Sequence, residues 1–477
     1  MKLGEIAERI YIYLPTVVDP LYKISIREKL KWTILILFAY FFLSYVPIVG
    51  LSLSPQAQYF ITLQHLLGAR FGSLLTLGIG PIVTAGIILQ LLVGSKIINL
   101  DTTTKEGRKK FEMWNKTLAF VLAFVEAAAY VFLGPLHTIT IFLPLVIFQI
   151  ALGGILVILF DEAINKWGIG SGVSLFIMAG IASQIFIRIF SPFPSGCSIN
   201  TLSACIPSLN NPPVGLFWQF LINFYNNNPT NALLAFFPIL STAIVFLLVV
   251  YIQAINIEIP LAFSMFKGFG RAWSLKLLYT SNIPVIFMWA LLMNIQMMGR
   301  IGLQEVSPGK YCNFFGCYDS NGNPISGIVY YISAPRGIVN EILYGTNFKT
   351  LILHFFVYSL IMIVGCILFS VIWVNTSGMD AKSIAEQLYI IGMQVPGYRR
   401  DPRVIESVLN KYISPLSVLS GFFIGVLTII ADWLGAIGSG TGLLLAVTIA
   451  YNTYEIIKNE DLEGAPKILL NILGEGK

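Results

Sequence analysis

The chain has 477 residues, of which 56% are hydrophobic and only 11% are charged, and its mean hydropathy is +0.77. A soluble protein of this length would carry about 25% charged residues, so the composition excludes an ordinary soluble protein. The net charge of +6 is small. Residues 1–32 are amphipathic and basic, which is not the pattern of a removable signal peptide.

Ten apolar stretches follow one another along the chain, and each is almost free of charge. A stretch of about 20 apolar residues crosses a bilayer, and helix is the expected state because lipid offers the backbone no hydrogen-bond partner. The sequence therefore predicts an all-α, polytopic membrane protein. Ten helices can form two halves, here 33–190 and 233–457, related by an inverted repeat, although we detect no repeat in the residues. The predicted spans are 33–50, 74–94, 117–134, 139–160, 171–190, 233–253, 281–299, 350–374, 412–433 and 437–457.

The distribution of lysine and arginine predicts the orientation of these spans. Of the 30 basic residues, 24 fall in alternate segments, which by the positive-inside rule face the cytoplasm. Both termini are then cytoplasmic, including the tail at 458–477. The predicted inner segments are 1–32, 95–116, 161–170, 254–280, 375–411 and 458–477.

Residues 55–73 are too polar to face lipid and too apolar for a plain loop. They lie on the outer side, before the second span. Irregular or polar segments at membrane depth are found only against protein or a water-filled cavity, so we expect a short re-entrant helix in a cavity. The alternative is an interfacial helix lying flat on the outer surface.

Two outer loops, 191–232 and 300–349, are rich in Asn, Gly, Pro and Ser, which is a loop composition. Each contains two cysteines. An oxidising exterior would allow a local disulfide in each loop, and the alternative is four free thiols. The pairs are Cys197 with Cys205 and Cys312 with Cys317.

The two longest inner loops have different patterns. Residues 254–280 alternate on both sides of a Gly-rich turn, which predicts a β-hairpin projecting into the cytoplasm. Residues 375–411 predict a short helix, a basic turn (PGYRRDPR) and a helix that leads into the next span.

Two glycine-rich stretches stand out. LTLGIGPIVTAGIILQLL (75–92) places Ile79 and Val83 four residues apart, on one helix face. The alternative is a structural role, as a kinked helix whose small residues allow close packing. ILFDEAINKWGIGSGVSLFIMAG (158–180) ends one span with an acidic pair and opens the next with GIGSG. That turn lacks the Lys-Ser/Thr of a nucleotide-binding loop.

These two stretches resemble the signature segments of the SecY family, the central channel subunits of protein translocases. LKLLYTSNIPVI (275–286) resembles that family's seventh helix, PGYRRDPRVIESVLNKYISP (396–415) its basic loop before the ninth, and GAIGSGTGLLLAV (435–447) its tenth. The likeness covers the whole chain and is nearest to the archaeal branch. It implies ten helices in two pseudo-symmetric halves around a central pore.

The resemblance also assigns roles to residues of this chain. It implies an apolar ring that dewets and blocks ions, a plug formed by residues 55–73, a polar cluster at a lateral gate, and cytoplasmic contacts with the ribosome. The ring comprises Ile79, Val83, Val173, Ile177, Ile286 and Leu445; the plug, Gln64, His65, Gly68, Arg70 and Gly72; the gate, Thr84, Glu126 and Asn294; and the ribosome contacts, Lys267, Arg271, Lys276, Arg399, Arg400, Arg403 and Lys411.

Further expectations concern partners. The family pairs this subunit with a SecE-type single-span protein and a small Sec-beta-type subunit. It also engages the ribosome, nascent signal peptides, transmembrane segments and the lipid of the plasma membrane. We expect no enzyme activity, cofactor or metal, because no nucleotide motif or catalytic constellation is present.

Two other function classes fit the sequence less well. A secondary transporter would suit broken helices and the midspan acid Glu126. Against it, ion coupling usually needs more than one such acid. An intramembrane enzyme is disfavoured because His65, His137 and His354 lie on separate elements.

Overall fold

The computed structural model describes most of the chain, and everything below concerns these residues. They are 11–22, 24–53, 72–94, 97–98, 100, 104–132, 136–138, 142–194, 207, 212–263, 270–299, 304–307, 310–319, 324–335, 348–391, 393–394, 401–438 and 440–459.

Helices dominate the structure, and one lies at each of the ten predicted spans. Those ten are α1 (Ile26–Ser44), α2 (Gly80–Gly94), α3 (Lys105–Phe132), α4 (Leu143–Trp167), α5 (Gly172–Phe190), α7 (Pro229–Gln253), α8 (Ile283–Met298), α10 (Phe348–Thr376), α12 (Pro402–Trp433) and α13 (Gly440–Asn459). Shorter helices are α6 (Leu216–Tyr225), α9 (Ile328–Ile332) and α11 (Ala381–Ile391).

The described helices confirm a multi-pass membrane protein. Six of them, α3, α4, α5, α7, α10 and α12, are long and apolar enough to cross a bilayer, and α2 and α8 are shorter apolar helices. The remaining two predicted spans, α1 and α13, have 19 and 20 residues. Both are close to the length that a bilayer requires.

The second predicted span, 74–94, was wrong at its start. The helix begins only at Gly80, and Pro81 is its second residue. Proline fits the first turn of a helix, where its missing N–H is not needed, but further inside it would clash with the preceding turn. Residues 73–79 instead form successive turns, such as the one closed by the 3.1 Å bond from Gly78 N to Leu75 O.

Three small sheets accompany the helices. The predicted hairpin is confirmed: β3 (Asn256–Phe263) pairs antiparallel with β4 (Gly270–Lys276). β3 also pairs with β9 (Met393–Gln394), which follows α11 in the segment 375–411. In a second sheet, β1 (Leu51–Leu53) pairs antiparallel with β2 (Leu136–Thr138).

The outer loop 300–349 corrects a prediction, because it is not irregular throughout. It contains the antiparallel sheet β5 (Gln304–Ser307), β6 (Lys310–Asn313), β7 (Gly316–Asp319) and β8 (Pro324–Gly327). Four-residue strands rich in polar residues carry too little alternation to be told from loop. The other outer loop, 191–232, likewise contains α6 and the first residues of α7.

Buried apolar side chains form one large cluster between the two predicted halves. It receives residues from α1, α2, α4 and α5, and also from α7, α8, α10, α12 and α13. A separate cluster forms where α11 and α12 pack on the hairpin of β3 and β4. The helices of both halves therefore meet at the large cluster.

Candidate functional site

The six residues assigned to a ring come from four helices and meet in the large apolar cluster. Five of them are buried there, and Val173 packs against it while partly buried. Ile79 lies just before α2, and the N–H of Val83 donates to its carbonyl at 3.1 Å, so the two side chains are one turn apart. The predicted juxtaposition is therefore present, although Ile79 precedes the helix.

A cavity of about 530 Å³ opens beside this cluster. It is lined by Val83, Val173 and Ile286, whereas Ile79, Ile177 and Leu445 are not among its lining residues. The cluster thus forms part of the cavity wall, to which three of the six residues contribute. By the predicted orientation the cavity lies on the inner side, since it reaches Gly170 and Asn452.

Every residue that lines the cavity is uncharged. The polar members include Gln90 from α2, Asn115 from α3 and Asn282 just before α8. Each has one buried amide atom without a hydrogen-bond partner among the described residues. Nothing in the sequence singled out Asn115 and Asn282, because single Asn residues carry no distinctive pattern.

The start of α8 has an unusual backbone. Ser281 lines the cavity and has a φ of 54°, a left-handed conformation that is uncommon for residues other than glycine. The side-chain nitrogen of Asn452, on α13, donates to the Ser281 hydroxyl at 2.7 Å. α13 thus supports the strained residue from which α8 begins.

The assigned polar cluster is only partly assembled. Thr84 on α2 and Glu126 on α3 share a side-chain hydrogen bond. Glu126 Oε2 lies 3.0 Å from where a Cβ on Gly80 would be, so the carboxyl group contacts the first turn of α2. Asn294 is half-buried on α8, and no hydrogen bond joins it to Thr84 or Glu126 among the described contacts. These residues lie near a seam where α2 packs against α8 and α10.

Two aspartates connect helices around the cluster, Asp161, which is partly buried, and Asp432, which is buried. Asp161 at the end of α4 accepts a hydrogen bond of 2.8 Å from the N–H of Val173. Asp432 at the end of α12 accepts one of 2.7 Å from the N–H of Gly440 and another of 2.7 Å from the hydroxyl of Tyr358. The sequence pointed to Asp161, but it gave no reason to single out Asp432.

The residues assigned to the ribosome are incompletely described. Lys276, at the end of β4, forms an ion pair with Glu455 of α13, so its ammonium group already has a partner. Arg403 and Lys411 are exposed near the start of α12. Arg271 belongs to β4, and Lys267, Arg399 and Arg400 lie outside the described residues.

Tyr279 lies in the short segment between β4 and α8 and contacts the segment that follows α10. The hydroxyl of this residue donates to the carbonyl of Met379 at 2.6 Å. Burial, and secondarily the nearby Asp380, raise the pKa of the Tyr279 phenol, so that it remains a neutral donor. The segment between β4 and α8 is therefore held to the segment that follows α10.

Most of the expected plug lies outside the described residues, including Gln64, His65, Gly68 and Arg70. Gly72 is described and has a φ of 82°. The end of the segment contacts the chain that precedes it, because the N–H of Ile48 donates to the carbonyl of Gly72 at 3.0 Å and Pro47 forms a β-bridge with Ser73.

The structure contains a disulfide between Cys312 and Cys317, on the paired strands β6 and β7. Cys197 and Cys205 lie outside the described residues. Cys366 is a free, buried thiol on α10. No group of His, Cys, Asp or Glu side chains suited to a metal ion occurs in the described part of the chain.

Comparisons with known proteins agree with this geometry. The family model described as SecY matches residues 73–454, well over half of the chain. The protein translocase subunit SecY of Methanothermobacter thermautotrophicus is 39% identical over 479 residues, which cover 99% of this chain and 100% of that relative.

Solved structures lead to the same family. A structure described as that of a protein conducting channel superposes with a TM-score of 0.77 at 37% identity, covering 97% of this chain and 98% of its own. Sec61 in the canine ribosome-channel complex from the endoplasmic reticulum superposes with a TM-score of 0.73 at 36% identity, covering 97% and 98%. Both the sequence and the fold therefore show that this chain belongs to the SecY family and is a translocation-channel subunit.

Proposed function

We propose that this chain forms the central pore of a translocase, through which secretory polypeptides cross the membrane, and that its six-residue apolar ring seals the pore at rest. The observation that carries the proposal is that the six residues meet in or against one apolar cluster, which forms part of the cavity wall. A narrow apolar constriction excludes ions because water leaves it, yet flexible side chains can part around a polypeptide.

The ring is tested by ion conductance in planar bilayers. Replacing Ile79 and Ile286 with Asn places two polar side chains at the constriction, so we expect ions to leak through the resting channel. The matched control is Ile405→Asn, which makes the same change in the separate inner cluster. Unchanged conductance in the ring variant, or an equal rise in the control, would contradict the ring.

We also propose that the channel opens sideways between α2 and α8/α10 to release transmembrane segments and to admit signal peptides. Two observations support it. α2 packs against both of these helices, which belong to the other half of the chain. At the end of the seam, a Cβ on Gly94 would lie 3.4 Å from Ile372 Cγ2.

Because positions 94 and 372 are close, a disulfide between them would hold the seam closed and so act as a lock. A disulfide between Gly94→Cys and Ile372→Cys should abolish membrane integration of a client segment, and reduction should restore it. The unaltered chain treated with the same reductant controls for loss of Cys312–Cys317, and each single-cysteine variant controls for the substitution. Full integration with the lock formed would exclude this route.

The plug remains our proposal for residues 55–73. Its support is that Gly72 and Ser73, at the end of the segment, contact Ile48 and Pro47, which precede it, and that Gly72 comes seven positions before the ring residue Ile79. We propose on this ground that the segment lies near the constriction. Deleting residues 58–68 should raise resting conductance, and a resting conductance equal to that of the full chain would argue against a plug.

The ribosome is the proposed cytoplasmic partner. Pairing of β9 with β3 joins the two long inner loops to each other, which supports a shared role for their basic residues. Arginine and lysine suit phosphate-rich RNA, and the similar canine Sec61 is part of a ribosome-channel complex.

Charge reversal tests this role. Arg399→Glu with Arg400→Glu should weaken ribosome binding, and the loss should depend on salt. Lys310→Glu with Lys349→Glu, on the predicted outer side, is the control that should leave binding unchanged. Equal affinity of both variants at low salt would remove the role of the inner loops.

We further propose residence in the plasma membrane with both termini in the cytoplasm, together with a SecE-type single-span subunit and a small Sec-beta-type subunit. The basic inner segments support the orientation. The exposed apolar side of α1, which includes Phe38 and Phe42, is available to a partner helix or to lipid. Mild-detergent purification should recover both small subunits, and protease should reach terminal tags only from the cytoplasmic side.

A further inference from the structure

The short helix α6 lies between α5 and α7, in the connection that joins the two predicted halves. Five of its ten residues are aromatic and none is charged. Several side chains project away from the protein: Phe224 is 70% exposed and Tyr225 is 87% exposed, with Phe217, Trp218 and Leu221 about half as exposed. An exposed surface of this composition is unusual for an outer loop in water.

Contacts fix the position of α6 relative to its neighbours. The indole N–H of Trp218 donates to the carbonyl of Phe190, the last residue of α5, at 3.0 Å. The rings of Phe220 and Phe236 have their centroids 5.4 Å apart, so α6 packs along the first turns of α7.

These contacts also give the depth of α6. The apolar part of α7 begins at Ala232, and Phe236 is four residues further in. At a rise of about 1.5 Å per residue, Phe236 lies roughly 6 Å inside the apolar boundary. Phe190, next to Trp218, lies at the outer end of α5, two residues beyond the exposed Arg188. Both neighbours therefore place α6 at the border between acyl chains and headgroups.

Polarity changes sharply at the end of α6. Phe224 and Tyr225 are followed by Asn226, Asn227 and Asn228, all exposed. On α5, Phe186 also has an exposed aromatic side chain, and its ring centroid lies 5.2 Å from that of Phe190. Helices that bind the interface place aromatic residues at this depth.

We propose that α6 is a membrane-anchoring helix whose exposed aromatic face binds the outer-leaflet phospholipids at the level of the headgroups. Its contacts with α5 and α7 mean that the junction between the two halves is held at the membrane surface. The proposal does not depend on translocation, and its test does not use translocation as a readout.

The test is photo-crosslinking of the full chain in vesicles of phosphatidylcholine and phosphatidylglycerol. p-Benzoyl-phenylalanine is introduced in place of Phe224 or, as a second exposed position, Tyr225. Illumination should shift the mass of the α6 peptide by one phospholipid. The matched control replaces Phe220, whose ring faces Phe236, and should give a crosslink to α7.

Each outcome decides the proposal. Phospholipid adducts at Phe224 and Tyr225 but not at Phe220 support it. Absence of lipid adducts at both exposed positions overturns it, as does an adduct with another protein chain in preparations that contain co-purified subunits. Because the replaced side chains are exposed, folding of the variants can be verified independently by their melting temperature.

Discussion

Two helix junctions in this chain begin with the same four residues but have different surroundings. Ile-Gly-Ser-Gly occurs at 169–172, between α4 and α5, and again at 437–440, between α12 and α13. Gly170 and Gly438, the second residue of each, have φ angles of 72° and 84°. Glycine adopts this conformation without steric cost, so both junctions turn in the same way.

The carboxylates at the two junctions have corresponding roles. Asp161 accepts from a backbone N–H at the start of α5, and Asp432 accepts from one at the start of α13. Both satisfy donors that have no partner within their own helix. Each therefore fixes the helix that follows it.

Residues of the proposed ring follow the same correspondence. Ile177 is the fifth residue after Gly172, and Leu445 is the fifth residue after Gly440. Similarly, Val83 and Ile286 each come two residues after a proline at the second position of α2 or α8. An inverted repeat predicts this pattern, so the correspondence supports the division into two halves.

The surroundings of the junctions differ. Gly170, Ser171 and Val173 line the cavity, so water can reach the α4–α5 junction. The α12–α13 junction is buried, and the hydroxyl of Tyr358 on α10 completes the hydrogen bonds of Asp432. The same hydrogen bond from a backbone N–H to an aspartate thus occurs at a junction that water can reach and at one that is buried. Its loss should lower the stability of the protein more at the buried junction.

The largest effect is expected for Asp432→Ala. This change leaves the Tyr358 hydroxyl and the Gly440 N–H buried without an acceptor, which should cost about 3–5 kcal/mol of stability. The measurement is thermal unfolding in detergent, followed by intrinsic fluorescence. Asp432→Asn keeps one acceptor oxygen and should lose less; equal losses would mean that the carboxylate is not the cause.

A smaller effect is expected for Asp161→Ala, because water in the cavity can replace the lost acceptor. Removing a carboxylate that caps a helix start costs about 1–2 kcal/mol. The same unfolding assay applies, with Asp161→Asn as the control that retains an acceptor for the Val173 N–H. A loss of stability as large as that of Asp432→Ala would mean that access of water to the α4–α5 junction makes no difference.

The smallest effect is expected for Glu162→Gln, which perturbs ion pairs at the α4–α5 junction alone. Glu162 contacts Lys116 of α3 at 2.6 Å and Lys166 at 3.1 Å, and Lys166 also contacts Asp19 at 3.0 Å. Partly exposed ion pairs contribute about 0.2–1 kcal/mol each, and salt weakens them. The difference in melting temperature between variant and unaltered chain should shrink as salt rises; a constant difference would indicate lost packing instead.

Much of the fold could be predicted because it depends on local composition. Apolar length located a helix at each of the ten spans, and alternation around a Gly-rich turn located the hairpin of β3 and β4. The starts of elements were less accurate, as at Gly80, where Pro81 decides the boundary. The strands β5–β8 were missed since each has four residues and a polar, loop-like composition.

The site was predicted less completely than the fold. Resemblance brought the six ring residues together, and the structure places all of them in or against one cluster. The repeat is hard to detect in the sequence because only four residues are identical. The preceding aspartates also differ in their spacing from the last glycine, from 161 to 172 in one junction and from 432 to 440 in the other. Resemblance assigned Lys276 to the ribosome, whereas in the structure its ammonium group forms an ion pair with Glu455, which is distant in the chain.

The sequence alone determined that this is a membrane protein with helices at ten places, because hydrophobic length and charge position act locally along the chain. Only the tertiary structure decided which residues face the cavity, which carboxylate is sealed from water and which lysine is already paired. Those properties depend on contacts between helices far apart in the chain, and such contacts leave no periodic signal in the residues themselves.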